Sequence, residues 1–288
     1  MRLVTFETGK DVRPGALADG EIADLSSAGA SIAEIVSRMP AIDRWAALVK
    51  NAPRVSLASV RVIAPIPVPH RNIFCVGKNY AAHAREFERS GFDSSSAGQE
   101  VPKFPVVFTK APSCVTGPDA EIPGYLDPTD SLDYEGELGV VIGRGGRGIS
   151  KAQAMDHVLG YTIINDVTAR TLQQDHKQWF LGKSIDGFCP MGPTIVTADE
   201  VPDPRRLKLV TRINGEVRQN ASVSDLIFDI PTLIETISRG IALVPGDIIA
   251  TGTPEGVGIG FKPPKYLKRG DVVSIEIEPI GVLTNTVA

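Results

Sequence analysis

The run Asp133-Tyr134-Glu135-Gly136-Glu137 sets three carboxylates at alternate positions directly before the apolar stretch LGVVIG. In an extended chain, side chains two apart point to the same face, so Glu135 and Glu137 would bring their oxygens together. Two like charges so placed repel unless a cation lies between them. Hard oxygen donors select Mg²⁺, Mn²⁺ or Ca²⁺ over zinc, and a third carboxylate would complete one open face of the coordination sphere. Asp166, at the end of the strand-like GYTIIND, is the candidate third ligand. The plainer alternative is a solvated strand edge carrying alternating acids.

Two further groups have the types that chemistry needs. His83 and Glu86 stand three apart in NYAAHARE, a spacing that places both on one face of a helical turn. A carboxylate bonded to one imidazole nitrogen orients the ring and leaves the other nitrogen free to take a proton from water; a surface pair of the two is the alternative. Lys183 lies within the apolar, glycine-rich WFLGKSIDGFCPMGP. A partly desolvated ammonium there suits a developing oxyanion; a lysine snorkelling from a strand end is the alternative. Gly143, Gly145 and Gly148 satisfy a dinucleotide fingerprint in spacing only, because the preceding strand opens with acids and two arginines crowd the loop.

The elements that must position these groups are mostly strands. A chain of 288 residues with 28 glycines and 22 prolines, and Val/Ile-rich runs between them, reads as β-rich with many turns. NIFCVG, FPVVFTK, GELGVVIGR, GYTIIND, LKLVTRI, EVRQN, DIIATG and DVVSIEIE are the expected strands. Asn214-Gly215 between two of them predicts a tight hairpin in which both residues adopt positive φ. Helices are expected over SKAQAMDHVLG, ARTLQQDHKQ and IPTLIETISRG, and over SIAEIVSRMPAIDRWAALVKNAP near the start. The extended, proline-rich APIPVPHRN suggests a boundary. It separates a small N-terminal α+β domain, residues 1–68, from a catalytic domain, residues 69–288. Ser94 to Gly98 forms a flexible-looking insert, read as part of an active-site lid over a surface loop.

Composition narrows the partners. A formal charge of -4 gives no basic field for nucleic acid. No apolar run approaches the roughly eighteen residues of a spanning helix, and the start turns polar too early for a secretory segment, so no membrane association and a cytoplasmic location are expected. Cys75, Cys114 and Cys189 are odd in number and far apart, which argues against a disulfide framework and against a structural zinc site.

Taken in order, VGKNYAAHAREF, PVVFTKAPS, LDYEGELGVVIGR, GYTIINDVTAR, QWFLGKSIDGFCPMGP, TRINGEV and PGDIIATGTPEGVG resemble the fumarylacetoacetate hydrolase superfamily over roughly residues 70 to 287. The resemblance implies that superfamily's mixed β-roll, a homodimer, and a small keto-acid substrate. By it Glu135, Glu137 and Asp166 match metal ligands, and His83 and Glu86 match the dyad on the mobile lid of the acylpyruvase-like branch. Lys183 matches the active-site lysine, Gln173 the glutamine facing the substrate, and Thr253 the threonine near its carboxylate. Tyr80 and Lys110 are candidates for the pocket wall. Lys78 stands where Arg or Leu is commoner, and Thr171 where many members have Asp.

The activity so implied is Mg²⁺- or Mn²⁺-dependent hydrolysis of a carbon-carbon bond in an acylpyruvate, passing through an enolate. The dyad favours hydrolysis because it can activate water. Oxaloacetate decarboxylation and isomerisation of a 2-hydroxyhepta-2,4-diene-1,7-dioate use the same electron sink. A non-catalytic protein holding a structural ion is the rival from another class.

Overall fold

A computed structural model describes residues 1–39, 45–91 and 101–288. Strand β1 (Arg2–Thr8) turns into β2 (Asp11–Ala18), which pairs with β3 (Glu21–Asp24). Helix α1 (Ile32–Arg38) begins where the Ser31 side chain accepts the Glu34 N–H at 3.2 Å, and α2 (Trp45–Asn51) follows. Short strands β4 (Arg54–Ser56) and β5 (Arg61–Ile63) lie on β3 and β1. Beyond the proline-rich connector come β6 (Ile73–Gly77), α3 (Ala81–Ser90) and β7 (Val106–Lys110). Three two-residue strands, β8 (Val115–Thr116), β9 (Glu121–Ile122) and β10 (Leu132–Asp133), lead to the central pair β11 (Gly136–Ile142) and β12 (Val158–Asn165). Strand β13 (Thr168–Ala169) opens directly into α4 (Arg170–Asp175), and α5 (Phe180–Lys183) follows. The remainder is β14 (Cys189–Thr197), β15 (Lys208–Ile213), β16 (Glu216–Ser222), α6 (Ile230–Ser238), β17 (Ile248–Ala250), β18 (Val272–Ile277) and β19 (Gly281–Val287).

The largest sheet runs β4-β3-β2-β1-β14-β12-β11-β17-β6-β7, with β5 and β8 attached at its side; a second runs β16-β15-β18-β19-β9, and β10 pairs with β13. Strand β11 is buried on both faces. Leu138, Val140 and Ile142 pack into one core with Leu209, Ile275 and Leu283 of the second sheet. Val141 packs instead with Leu3, Ile32 and Ile35 from the chain's start. Covered on both sides, the strand reads as a continuous apolar run, with its one acid, Glu137, confined to the N-terminal end. The N-terminal strand joins the same sheet, with Arg2 opposite Val196 and Leu3 opposite Ile195.

All the expected strands form, and Asn214 and Gly215 take φ values of 52° and 84° in the hairpin as predicted. The helix expected over SKAQAMDHVLG does not form. Only a short turn spans Ala154–His157, and Val158 onward joins β12, because pairing on two sides outweighs the local helical spacing. The segment Ser94 to Gly98 lies outside the described residues. Among those described, no helix is long and apolar enough to cross a membrane.

Candidate metal centre and active site

The acidic triad is assembled by strand register. Antiparallel pairing sets Gly136 opposite Asn165, so the start of β11 meets the end of β12. The Asp166 N–H donates to the Glu135 carbonyl at 2.8 Å, and the Glu135 N–H to Asn165 Oδ1 at 3.0 Å. Glu135, Glu137 and Asp166 are buried, and each offers an oxygen within 4.8 Å of the others'.

Cations hold this cluster from several sides. Lys183 Nζ donates to Glu135 Oε2 at 2.7 Å and to Asp166 Oδ2 at 2.9 Å. Lys110 Nζ donates to Asp166 Oδ1 at 2.7 Å and to the Lys183 carbonyl. Arg170 pairs with Glu135 Oε1 at 2.6 Å and, through Nε, with Asp133 Oδ2 at 2.8 Å. Burial pushes the Glu135 carboxyl up, but Lys183, Arg170 and His83 outweigh it and bring it down to about 2. Burial also raises Glu137, and there Asp166 and Glu135 add their repulsion, so its carboxyl stands well above the usual range. Glu137 accepts the Gly252 N–H at 2.8 Å. A further positive charge is thus most needed beside Glu137, and an all-carboxylate donor set fits a hard dication.

The dyad reaches the cluster from α3. His83 Nδ1 lies 3.2 Å from Glu86 Oε2, and the Gly256 N–H donates to both Glu86 oxygens at 3.0 and 3.2 Å. A Cβ on Gly260 would overlap the Glu86 carboxylate, so glycine is what admits the dyad at that point. With Nδ1 turned to the carboxylate, Nε2 is the nitrogen left for proton transfer.

His83, Gln173, Lys183, Thr253, Glu135 and Glu137 all line one cavity of about 20 Å³, the space of a single water. Phe87, Phe108 and Trp179 wall it, Trp179 meeting the other two rings edge-on at 6.0 and 5.1 Å between centroids. Tyr80 and Lys110 do not line it. Tyr80 is buried in a bridge to Leu226, and Lys110 sits behind the cluster against Asp166. The Thr253 hydroxyl donates to the Gly136 carbonyl at 2.9 Å and accepts from Gln219 Nε2 at 2.8 Å. A larger cleft, about 1030 Å³, lies between residues 121–132 and 264–271 and contains none of these groups, so convergence rather than size locates the site.

Arg170 is the group to which the sequence reading assigned no role. It is 1 % exposed, lines the cavity, donates through Nη1 to Gln173 Oε1 at 3.2 Å, and its Nη2 has no hydrogen-bond partner among the described residues. Asp133, which also accepts the Gly258 and Ile259 N–H groups at 2.7 and 3.0 Å, supplies the acid that Thr171 does not. The alternation of acids pointed to Asp133, but its partner lies 37 residues away.

The description of the fumarylacetoacetate (FAA) hydrolase C-terminal region matches residues 72–288. The chain belongs to the fumarylacetoacetate hydrolase family. It is 54% identical over 232 residues to an oxaloacetate tautomerase of Bacillus subtilis, covering 81% of this chain and 74% of that protein. Among solved structures, a fumarylacetoacetate hydrolase from Exiguobacterium antarcticum superposes with a TM-score of 0.84 at 44% identity, covering 100% of this chain and 99% of the other. A maleylpyruvate hydrolase from Sphingobium sp. SYK-6, in complex with manganese(II) and pyruvate, superposes at 0.79 with 30% identity, again over 100% and 99% of the two chains. The β-rich α+β architecture described above is thus that of the fumarylacetoacetate hydrolase superfamily, and the chain is an enzyme of that superfamily.

Proposed function

We propose that the chain is a divalent-metal-dependent enzyme that moves a proton between the enol and keto forms of a small 2-oxo acid, with oxaloacetate as its substrate. The observation that carries this reading is one cavity lined by Glu135 and Glu137 of the buried acidic triad and by an imidazole oriented by its own carboxylate. The tautomerase relative at 54% identity supports the choice of reaction.

Glu135, Glu137 and Asp166 would hold Mg²⁺ or Mn²⁺, which when bound supplies a Lewis acid that neutralises charge growing on the 2-oxo oxygen. Arg170 Nη2 and the Gln173 side chain bind the neighbouring carboxylate. His83 Nε2 takes the enol proton or returns it at C3, while Glu86 stabilises the imidazolium that forms in between. Lys183, paired with Glu135 and Asp166, adds positive potential beside the oxyanion. Phe87, Phe108 and Trp179 keep bulk water away from C3.

The dyad also favours a second reading, the expected hydrolysis of an acylpyruvate, and the hydrolase structures resemble this chain over its whole length. There His83 Nε2 would take a proton from water as the oxygen attacks the distal carbonyl; the C3–C4 bond then breaks and its electrons leave with the pyruvate enol. Supplying enol-oxaloacetate, acetylpyruvate and fumarylpyruvate separately under added Mg²⁺ separates the two. Fast loss of the enol absorbance without release of pyruvate supports tautomerisation. Cleavage of the acylpyruvates with oxaloacetate untouched would replace it by the hydrolase reading, and pyruvate with CO₂ from oxaloacetate would mark a decarboxylase.

A further inference from the structure

We propose that Gln219 is a positioning residue for the dication: it closes a ring of hydrogen bonds around Gly136 that fixes the spacing of Glu135 and Glu137, and so favours Mg²⁺ over the larger Ca²⁺. This deepens the metal reading above and rests on it.

Gln219 lies on β16, in the second sheet, and does not line the cavity. The pairing of β15 with β16 shifts register between Thr211 and Arg212, which leaves Arg218 as an extra residue and sets Gln219 opposite Thr211. Such a bulge re-aims the side chains beside it, and Gln219 is buried.

The ladder between β11 and β17 ends with Gly139 opposite Ala250. The Glu135 carbonyl turns toward β12, where it accepts the Asp166 N–H, so the Gly136 groups face the other way, beyond the end of that ladder. Side chains take the place of the absent strand. The Gly136 N–H donates to Gln219 Oε1 at 3.0 Å, Gln219 Nε2 donates to Thr253 Oγ1 at 2.8 Å, and the Thr253 hydroxyl donates to the Gly136 carbonyl at 2.9 Å. Nε2 also donates to the Pro254 carbonyl at 2.8 Å. A backbone N–H can only donate and a carbonyl can only accept, so these partners fix both the amide's orientation and the place of the hydroxyl proton. A Cβ at Gly136 would lie 2.4 Å from Thr211 Oγ1 and 3.2 Å from Gln219 Oε1, so glycine between the two acids is what admits the ring.

The residue held at both its N–H and its carbonyl is the one that separates two ligands, whose carboxylates project from one face at a spacing its backbone sets. Mg²⁺ demands near-octahedral oxygens at about 2.0–2.1 Å, whereas Ca²⁺ accepts a looser set at about 2.3–2.6 Å. A frame that keeps Gly136 still therefore serves Mg²⁺ first. The ring also places the Thr253 proton on the Gly136 carbonyl, which leaves that hydroxyl an acceptor toward anything bound in the cavity.

The test is calorimetry of Mg²⁺ and of Ca²⁺ on chelator-treated protein, comparing wild type with Gln219→Met, Thr253→Val and the double variant. In each single variant the Mg²⁺ dissociation constant should rise by roughly 10- to 100-fold, the usual effect of losing a partner that orients a ligand, and the Ca²⁺ constant by much less. The double variant should bind no more weakly than the worse single one, because either change opens the same ring. Oxalate, a chelating stand-in for the head of a 2-oxo acid, should still bind Gln219→Met at saturating Mg²⁺, which reports an intact pocket. Thr253→Val keeps the shape of the native side chain and carries the test should Gln219→Met not fold. Equal weakening of the two cations, an unchanged Mg²⁺ constant, additive losses in the double variant or loss of oxalate binding would overturn the role of Gln219. Wild-type protein that binds neither cation would overturn the metal reading and this proposal with it.

Discussion

Lys183 joins two acids that would otherwise face each other with less compensation, so its charge matters before any substrate arrives. In Lys183→Met the metal-free protein should lose about 3–5 kcal/mol, the cost of breaking a buried pair, as read by urea denaturation in the presence of chelator. Added Mg²⁺ should recover part of that stability, while turnover stays down by about 10²–10³-fold for want of the ammonium. Retained stability without metal would show that Lys110 and Arg170 suffice. At Glu86 the expected effect is on rate alone. Glu86→Gln can still accept the Gly256 N–H but no longer stabilises an imidazolium, so kcat should fall by roughly 10²–10⁴-fold with oxalate affinity kept. The triad was legible in the sequence because a two-residue period puts acids on one face and a strand end supplies the third. The grip of Asp133 on Arg170 was not, since its members come together only through the pairing of Asp133 with Thr168 in β10 and β13.

Helix α3 brings His83 to the cluster, and the loop of residues 251–260 packs against its Glu86. Gly256 donates to Glu86 and Gly260 leaves room for it. Gly260→Ala should push Glu86 outward and lower kcat by about 10²-fold, as misplacement near 1 Å does, with little loss of oxalate binding. Steady-state kinetics and calorimetry on the same variant check this, and an unaltered kcat would show that α3 tolerates the shift. Local patterning disclosed most elements where its period agreed with burial, as in β15 and β18, whose buried residues alternate. It failed at residues 150–160, where helical spacing lost to sheet pairing. It also passed over β14, whose Met191, Gly192 and Val196 pair with β12. Neither outcome can be judged from one segment, because the deciding partners lie tens of residues away.

For the whole molecule, removing the dication should lower the melting temperature, and restoring it at about 100 times its Kd should return about 2.7 kcal/mol of stability. Thermal scans with chelator, Mg²⁺ and Mn²⁺ measure this; indifference to all three would argue against a cation at the triad. The homodimer expected from the family resemblance predicts a mass by light scattering twice the chain's 30.7 kDa. The continuity of the largest sheet has a practical side as well. Because β1 lies against β14 in a set register, the opening residues are a rib of the same frame that carries the chemistry. A shortened chain starting after residue 68 would bare the flank of β14 and invite strangers to stick there. Exchanging that opening stretch between relatives would work only if the incoming strand met Val196 and Ile195 in step.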